Sequence, residues 1–233
     1  MVFGLHQLTA QTSIQTKAST TENQKSTTMY LKIQEFQGSL HREIAAISDE
    51  RRAVLMELST YIQEKLDAKE TVELVFICTH NSRRSHFGQI WAMAAAHSVG
   101  LGQFVRTYSG GTEVTAFNER AVAALQRAGF VISKSGEDNP DYTVTMGENL
   151  EPIHGFSKTY EHASIPKKGF AAVMTCSEAD RNCPFVPGAE YRLSLPYTDP
   201  KVSDGTPEET AVYDLRSRQI AAEMLYVFQM LKP

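Results

Sequence analysis

Two hydrophobic periods alternate along this chain. From Tyr30 the apolar residues Ile33, Phe36, Leu40, Ile44 and Ile47 recur at helical spacing, and a second such stripe runs through Val54, Leu58, Tyr61, Ile62 and Leu66. Ser48, with Asp49 and Glu50 behind it, reads as the N-cap and acidic first turn of the second stripe. Together they predict an N-terminal helical hairpin over residues 29–70. Residues 72–77 form a run broken only by Glu73, the mark of a buried strand, and 87–97 return to helical spacing. The alternation continues with a strand at 104–109, a helix at 118–128, short strands at 130–132, 170–175 and 191–193, and a last helix over 207–231. Strands alternating with helices predict an α/β fold, a four-stranded parallel sheet flanked by helices. Within residues 136–168, Tyr142, Thr143, Val144 and Thr145 alternate as a strand and 158–161 are its predicted partner, giving an inserted β-hairpin.

Composition narrows the setting. The 233 residues are 42% hydrophobic, enough for one sizeable core and an appendage. Residues 1–28, rich in Ser, Thr and Gln, read as a disordered leader, which makes Met29 a candidate start. A net charge of −4 gives no reason to expect a nucleic-acid partner. No apolar run approaches the roughly 20 residues of a membrane span, and no secretory signal is apparent. Three cysteines cannot all pair within one chain, which fits reactive thiols in a reducing cytoplasm.

The chemistry concentrates in Cys78, Thr79, His80, Asn81, Ser82, Arg83, Arg84 and Ser85. A cysteine at the end of a strand, a short loop and an arginine entering a helix make an oxyanion cradle. Loop amides converge on one point, the helix N-terminus adds positive potential, and the planar fork of Arg84 grips two oxygens. That field favours a nucleophilic thiolate at Cys78. The loop has no glycine and no Lys-Ser/Thr pair, which excludes nucleotide-binding loops. Farther on, Cys176 and Cys183 leave three readings open: two ordinary loop thiols, a zinc site lacking a positioned histidine, or a redox pair.

Four ordered motifs carry a resemblance. The run F-I-C-T-H-N-S-R-R-S at 76–85, Y-S-G-G-T-E at 108–113 with N-E-R-A-V-A-A-L at 118–125, T-C-S-E-A-D-R-N-C-P at 175–184, and T-D-P at 198–200 together resemble the low-molecular-weight protein tyrosine phosphatases. The third motif is similar to their thioredoxin-coupled arsenate reductase branch. The resemblance covers residues 72–233 and implies a catalytic domain over 71–233. It implies Cys78 as nucleophile, Arg84 with the amides of residues 79–83 as oxyanion ligands, and Ser85 as donor to the thiolate. Asp199 would be the general acid, and Cys176 and Cys183 the resolving thiols. Asn81 suits the positive φ such loops require. His80 replaces the family's common glycine, and Arg83 stands where the phosphatases often carry a second loop cysteine. The implied activity is reduction of arsenate to arsenite, with arsenate or phosphate as guest, a thioredoxin-like protein as electron donor, and no metal or tightly bound cofactor. The alternative is hydrolysis of aryl phosphates such as phosphotyrosine. The N-terminal hairpin reads as extra core, or else as a homodimer surface.

Overall fold

The computed structural model describes residues 1–2 and 28–232, so the leader expected at 1–28 lies almost wholly outside the described residues. Four parallel strands form the central sheet: β1 (Val72–Cys78), β2 (Val105–Gly111), β6 (Phe170–Met174) and β7 (Ala189–Ser194), in the order β2-β1-β6-β7. β1 runs down the middle because its residues are apolar on both faces; all but Glu73 are buried. Chain order reverses between β1 and β6, so the loops leaving those two strands run to opposite sides and part at the strands' carboxyl ends. β1 feeds helix α4 (Arg84–Ser98) through the loop 79–83, which places that loop where they part.

The sheet is covered on both faces. Leu74, Phe76, Ala171 and Val173 face the larger core with Phe87, Trp91 and Phe228; Val75, Ile77, Ala172 and Met174 face a smaller one with Ile165, Ala179 and Val186. Helix α7 (Glu209–Gln229) lies along α4, fastened by Trp91 Nε1 donating to Ser217 Oγ at 2.9 Å. The N-terminal segment joins this core through fully buried Ile33, Leu40, Leu55, Leu58 and Ile62. Its first stripe, predicted as one helix, is two: α1 (Leu31–Gly38) and α2 (His41–Ala45). Gly38 weakens the helix and the Ser39 hydroxyl takes the Phe36 carbonyl at 2.7 Å, so the chain turns and drops Leu40 into the core. The second stripe is α3 (Asp49–Asp67), capped by Ser48 Oγ accepting from the Arg51 amide at 3.2 Å.

The inserted part differs in detail. Helix α5 (Glu119–Arg127) leads through Gly129, at φ 112°, to β3 (Val131–Ser135), which pairs antiparallel with β4 (Asp141–Thr145); β4 pairs in turn with β5 (Ile153–Gly155). The strand predicted at 130–132 thus leaves the parallel sheet. Its residues are mostly exposed, which suits an edge and not a sheet covered on both faces. The partner predicted at 158–161 is also displaced. Those residues close the end of β2 instead, where the Gly111 amide donates to Lys158 and the Tyr160 amide to Gly111, both at 2.9 Å. Glycine allows this: a Cβ on Gly110 would lie 2.6 Å from the Tyr160 backbone. Among the described residues, no helix is long and apolar enough to cross a membrane.

Candidate active site

The loop after β1 is turned inside out relative to an ordinary turn. Its carbonyls point outward and each finds a donor: Cys78 from the Thr112 amide, Thr79 from the Glu113 amide, His80 from Thr115 Oγ1 and Ser157 Oγ, Asn81 from His86, and Ser82 from the Asn118 amide, at 2.8–3.3 Å. The amides of residues 79–83 donate to no protein acceptor among the described residues. Peptide planes fixed this way direct their N–H groups to the opposite side, as a concave anion receptor requires. Asn81 makes the bend possible at φ 43°. Gly111 gives it room, since a Cβ there would come within 2.7 Å of the Asn81 amide and the Thr79 carbonyl.

Cys78 is buried at the end of β1, where the loop begins, with its Sγ 3.2 Å from Ser85 Oγ. The proton in that contact has a direction. The Asn81 amide oxygen accepts the Lys158 backbone N–H at 2.9 Å, so its Nδ2 is the atom facing Ser85 and donates at 2.8 Å. Ser85 therefore accepts from Asn81 and is left to donate to sulfur, which stabilises negative charge on Cys78. His86 supports the arrangement from behind. Its Nε2 faces the Asn81 carbonyl at 2.9 Å and so bears the hydrogen, while Nδ1 accepts from Ser109 Oγ at 3.1 Å. Complete burial, then the nearby Lys158 ammonium, hold this imidazole far below its ordinary pKa, hence neutral. Burial also brings Lys158 itself down to about 8.

Arg84 opens α4 and reaches across the mouth. Its Nη1 donates to the Tyr197 carbonyl at 3.1 Å and its Nη2 to Asp199 Oδ2 at 2.7 Å, while Nε is buried with no partner. Asp199 also caps the short 3-10 helix η1 (Pro200–Ser203) through Oδ1 and the Lys201 amide. The expected acid and the expected anion receptor are thus in contact. The side chains of the other loop residues face elsewhere. Arg83 donates to Tyr213 Oη at 2.7 Å and pairs with Asp204; Ser82 Oγ donates to the Ala116 carbonyl; His80 lies 3.3 Å from Glu113. Only the backbone amides of residues 80, 82 and 83 are thus placed to serve the cradle.

Cys176 ends the segment following β6, beside the end of β1, and caps helix α6 (Ser177–Asn182), its sulfur accepting the Ala179 amide at 3.3 Å. It is buried, and Thr79 Oγ1 lies 3.4 Å from its sulfur while donating to Glu178 Oε2 at 3.1 Å. Cys183 closes the same helix, half-buried, and packs with Tyr160 against the smaller core. All three cysteines carry free thiols. The site also enlists His86, Ser109, Lys158, Tyr213 and Glu178, none of which sequence reading selected. One signal was present for His86: a polar residue at the head of a helix otherwise lined by Phe87, Ile90, Trp91 and alanines must be buried with partners. Tyr213 and Lys158 gave none, since their partners are 130 and 77 residues distant.

No family model matches the chain. It is 27% identical over 161 residues to the arsenate reductase of Bacillus licheniformis, spanning 69% of this chain and 96% of that protein. It is 27% identical over 155 residues to the arsenate reductase of Bacillus subtilis, spanning 66% and 93%. Among solved structures, a low-molecular-weight protein tyrosine phosphatase from T. tengcongensis aligns over 69% of this chain and 100% of its own, with a TM-score of 0.47 and 16% identity.

Proposed function

We propose that the chain, 27% identical to two bacterial arsenate reductases, belongs to the low-molecular-weight protein tyrosine phosphatase superfamily on its arsenate reductase branch, and that it reduces arsenate to arsenite through a relay of its own three thiols. The observation that carries this reading is the place of the second sulfur. Cys176 lies at the end of the strand beside β1, within 3.4 Å of the hydroxyl of the residue that follows Cys78, and phosphate-ester chemistry has no use for a thiol there.

Arsenate, a tetrahedral oxyanion like phosphate, enters the cup and takes hydrogen bonds from the loop amides and Arg84. Cys78 attacks arsenic, and the departing oxygen takes a proton from Asp199. Cys176 then attacks the sulfur of Cys78; the As–S bond breaks with its electron pair on arsenic, releasing arsenite and leaving a Cys78–Cys176 disulfide. Cys183 attacks Cys176 in turn, which frees Cys78 and moves the disulfide to the other end of α6. A thioredoxin-like dithiol in a reducing cytoplasm returns the two electrons. The thiols carry the whole redox change, so the scheme needs no metal.

A second reading, hydrolysis of aryl phosphates, is supported by one contact: Asp199 lies 2.7 Å from Arg84, within reach of the leaving group of an ester that Arg84 would hold. The two are separated by assaying the purified protein with arsenate plus a thioredoxin system and, in parallel, with an aryl phosphate. Cys176→Ser is expected to stop repeated arsenate turnover and to spare ester hydrolysis. Undiminished reduction by that variant would refute the relay.

A further inference from the structure

Asp199 and Arg84 are held by an anchor that begins in the N-terminal helices. The Tyr197 carbonyl accepts from Arg84 Nη1 at 3.1 Å, and Asp199 follows two residues later. The Tyr197 side chain points the other way, into the core, where its hydroxyl donates to Glu223 Oε2 of α7 at 2.8 Å. That same oxygen accepts from Arg51 Nη2 at 2.8 Å and Nε at 3.1 Å, and the Arg51 guanidinium lies 4.8 Å from the centre of the Tyr197 ring. Arg51 stands in the first turn of α3. Glu223 is only 3% exposed and Tyr197 only 5%. A carboxylate so buried remains ionised only beside a cation. The other guanidinium near it, Arg216, spends its hydrogen bond on Gln219, which itself donates to Glu223 Oε1.

We infer that Arg51 is a positioning residue for the active site: through Glu223 and Tyr197 it fixes the segment that carries Asp199 and receives Arg84. The N-terminal helices are then part of the catalytic apparatus as well as part of the core. Without Arg51, Glu223 loses the one guanidinium hydrogen-bonded to it and keeps only the more distant charge of Arg216, Tyr197 loses a fixed acceptor, and the acid two residues away drifts from the leaving group. A displacement of this kind costs rate in proportion to how much the reaction needs that proton.

The inference rests on the site reading above, with Asp199 as acid, and leaving-group dependence tests it. Phenyl phosphate expels a basic phenolate and needs the acid; dinitrophenyl phosphate expels an anion that leaves unaided. In Arg51→Met, kcat/KM for phenyl phosphate is expected to fall about tenfold or more while that for dinitrophenyl phosphate stays within about twofold. Loss of folded protein alone lowers both equally and does not produce this split. Arg51→Met/Glu223→Gln removes the unpaired buried charge and carries the test should the single variant not fold; the same split is expected. Arg51→Lys, which keeps the cation, should recover most of the phenyl phosphate rate. Equal losses on the two esters, or none, overturn the inference alone. A wild-type protein that reduces arsenate but turns over neither ester overturns the inference alone, and one that also leaves arsenate unreduced overturns the site reading with it.

Discussion

At the scale of single residues, the proposed nucleophile depends on a relay of hydrogen bonds more than on any one charge. The Lys158 amide orients Asn81, Asn81 orients Ser85, and Ser85 is left to donate to Cys78. Asn81→Ala removes both the side chain tolerant of a φ of 43° and the donor to Ser85. We expect kcat/KM to drop about tenfold to a hundredfold with a folded protein, as steady-state kinetics and circular dichroism would record. His86 gives a pH signature. The unfolded chain takes up a proton here below the ordinary histidine value of 6.5, and the folded protein does not. Stability is therefore full above that value and declines as pH falls below it, by about 1.4 kcal/mol per pH unit at most for one such group. Urea unfolding at pH 7 and 5.5 should show this loss, and His86→Gln should reduce it. Cys78, Arg84 and Ser85 were readable because they lie within eight consecutive positions. The supports behind them were not, because Lys158 and Tyr213 become neighbours only when the chain folds.

At the scale of elements, α6 sets a geometric problem for the proposed relay. Cys176 and Cys183 bound it, and seven helical steps separate them by about 10 Å. A disulfide requires Cα atoms within about 7 Å. The proposed second exchange therefore requires α6 to unwind, against Arg192, which donates to the carbonyls of Asp180 and Cys183 at 2.8 and 3.1 Å. Hydrogen exchange at residues 177–183 should accelerate at least tenfold when the Cys176–Cys183 disulfide is formed; unchanged protection would mean that the pair closes without unwinding. In the parallel sheet β1 and β6 were legible from their apolar runs, β2 and β7 only as short strands among the helices. In the antiparallel sheet β4 was legible from its strict alternation and β3 as a strand read into the wrong sheet, while β5 was not. Residues 158–161 have strand-like composition too, but the glycines ending β2 offered them a closer partner than β4 did.

At the scale of the whole molecule, the helices before β1 and the sheet share one core, so they should unfold together. Leu58→Ala, at a fully buried position of α3, is expected to cost about 2–5 kcal/mol and to keep a single denaturant transition. Two separate transitions would make residues 29–70 a domain of their own. The periodicity of α3 announced its buried face, yet nothing in that stripe pointed to Arg51, whose partners come from α7 and the segment after β7. The central claim is that one strand-end sulfur attacks an oxyanion and its neighbour across the sheet resolves the adduct. Disulfide mapping by mass spectrometry, after Cys183→Ser has met one equivalent of arsenate, tests it most directly. The account expects Cys78 joined to Cys176, with arsenite released in equal amount; arsenite formed while Cys176 remains a free thiol would contradict it.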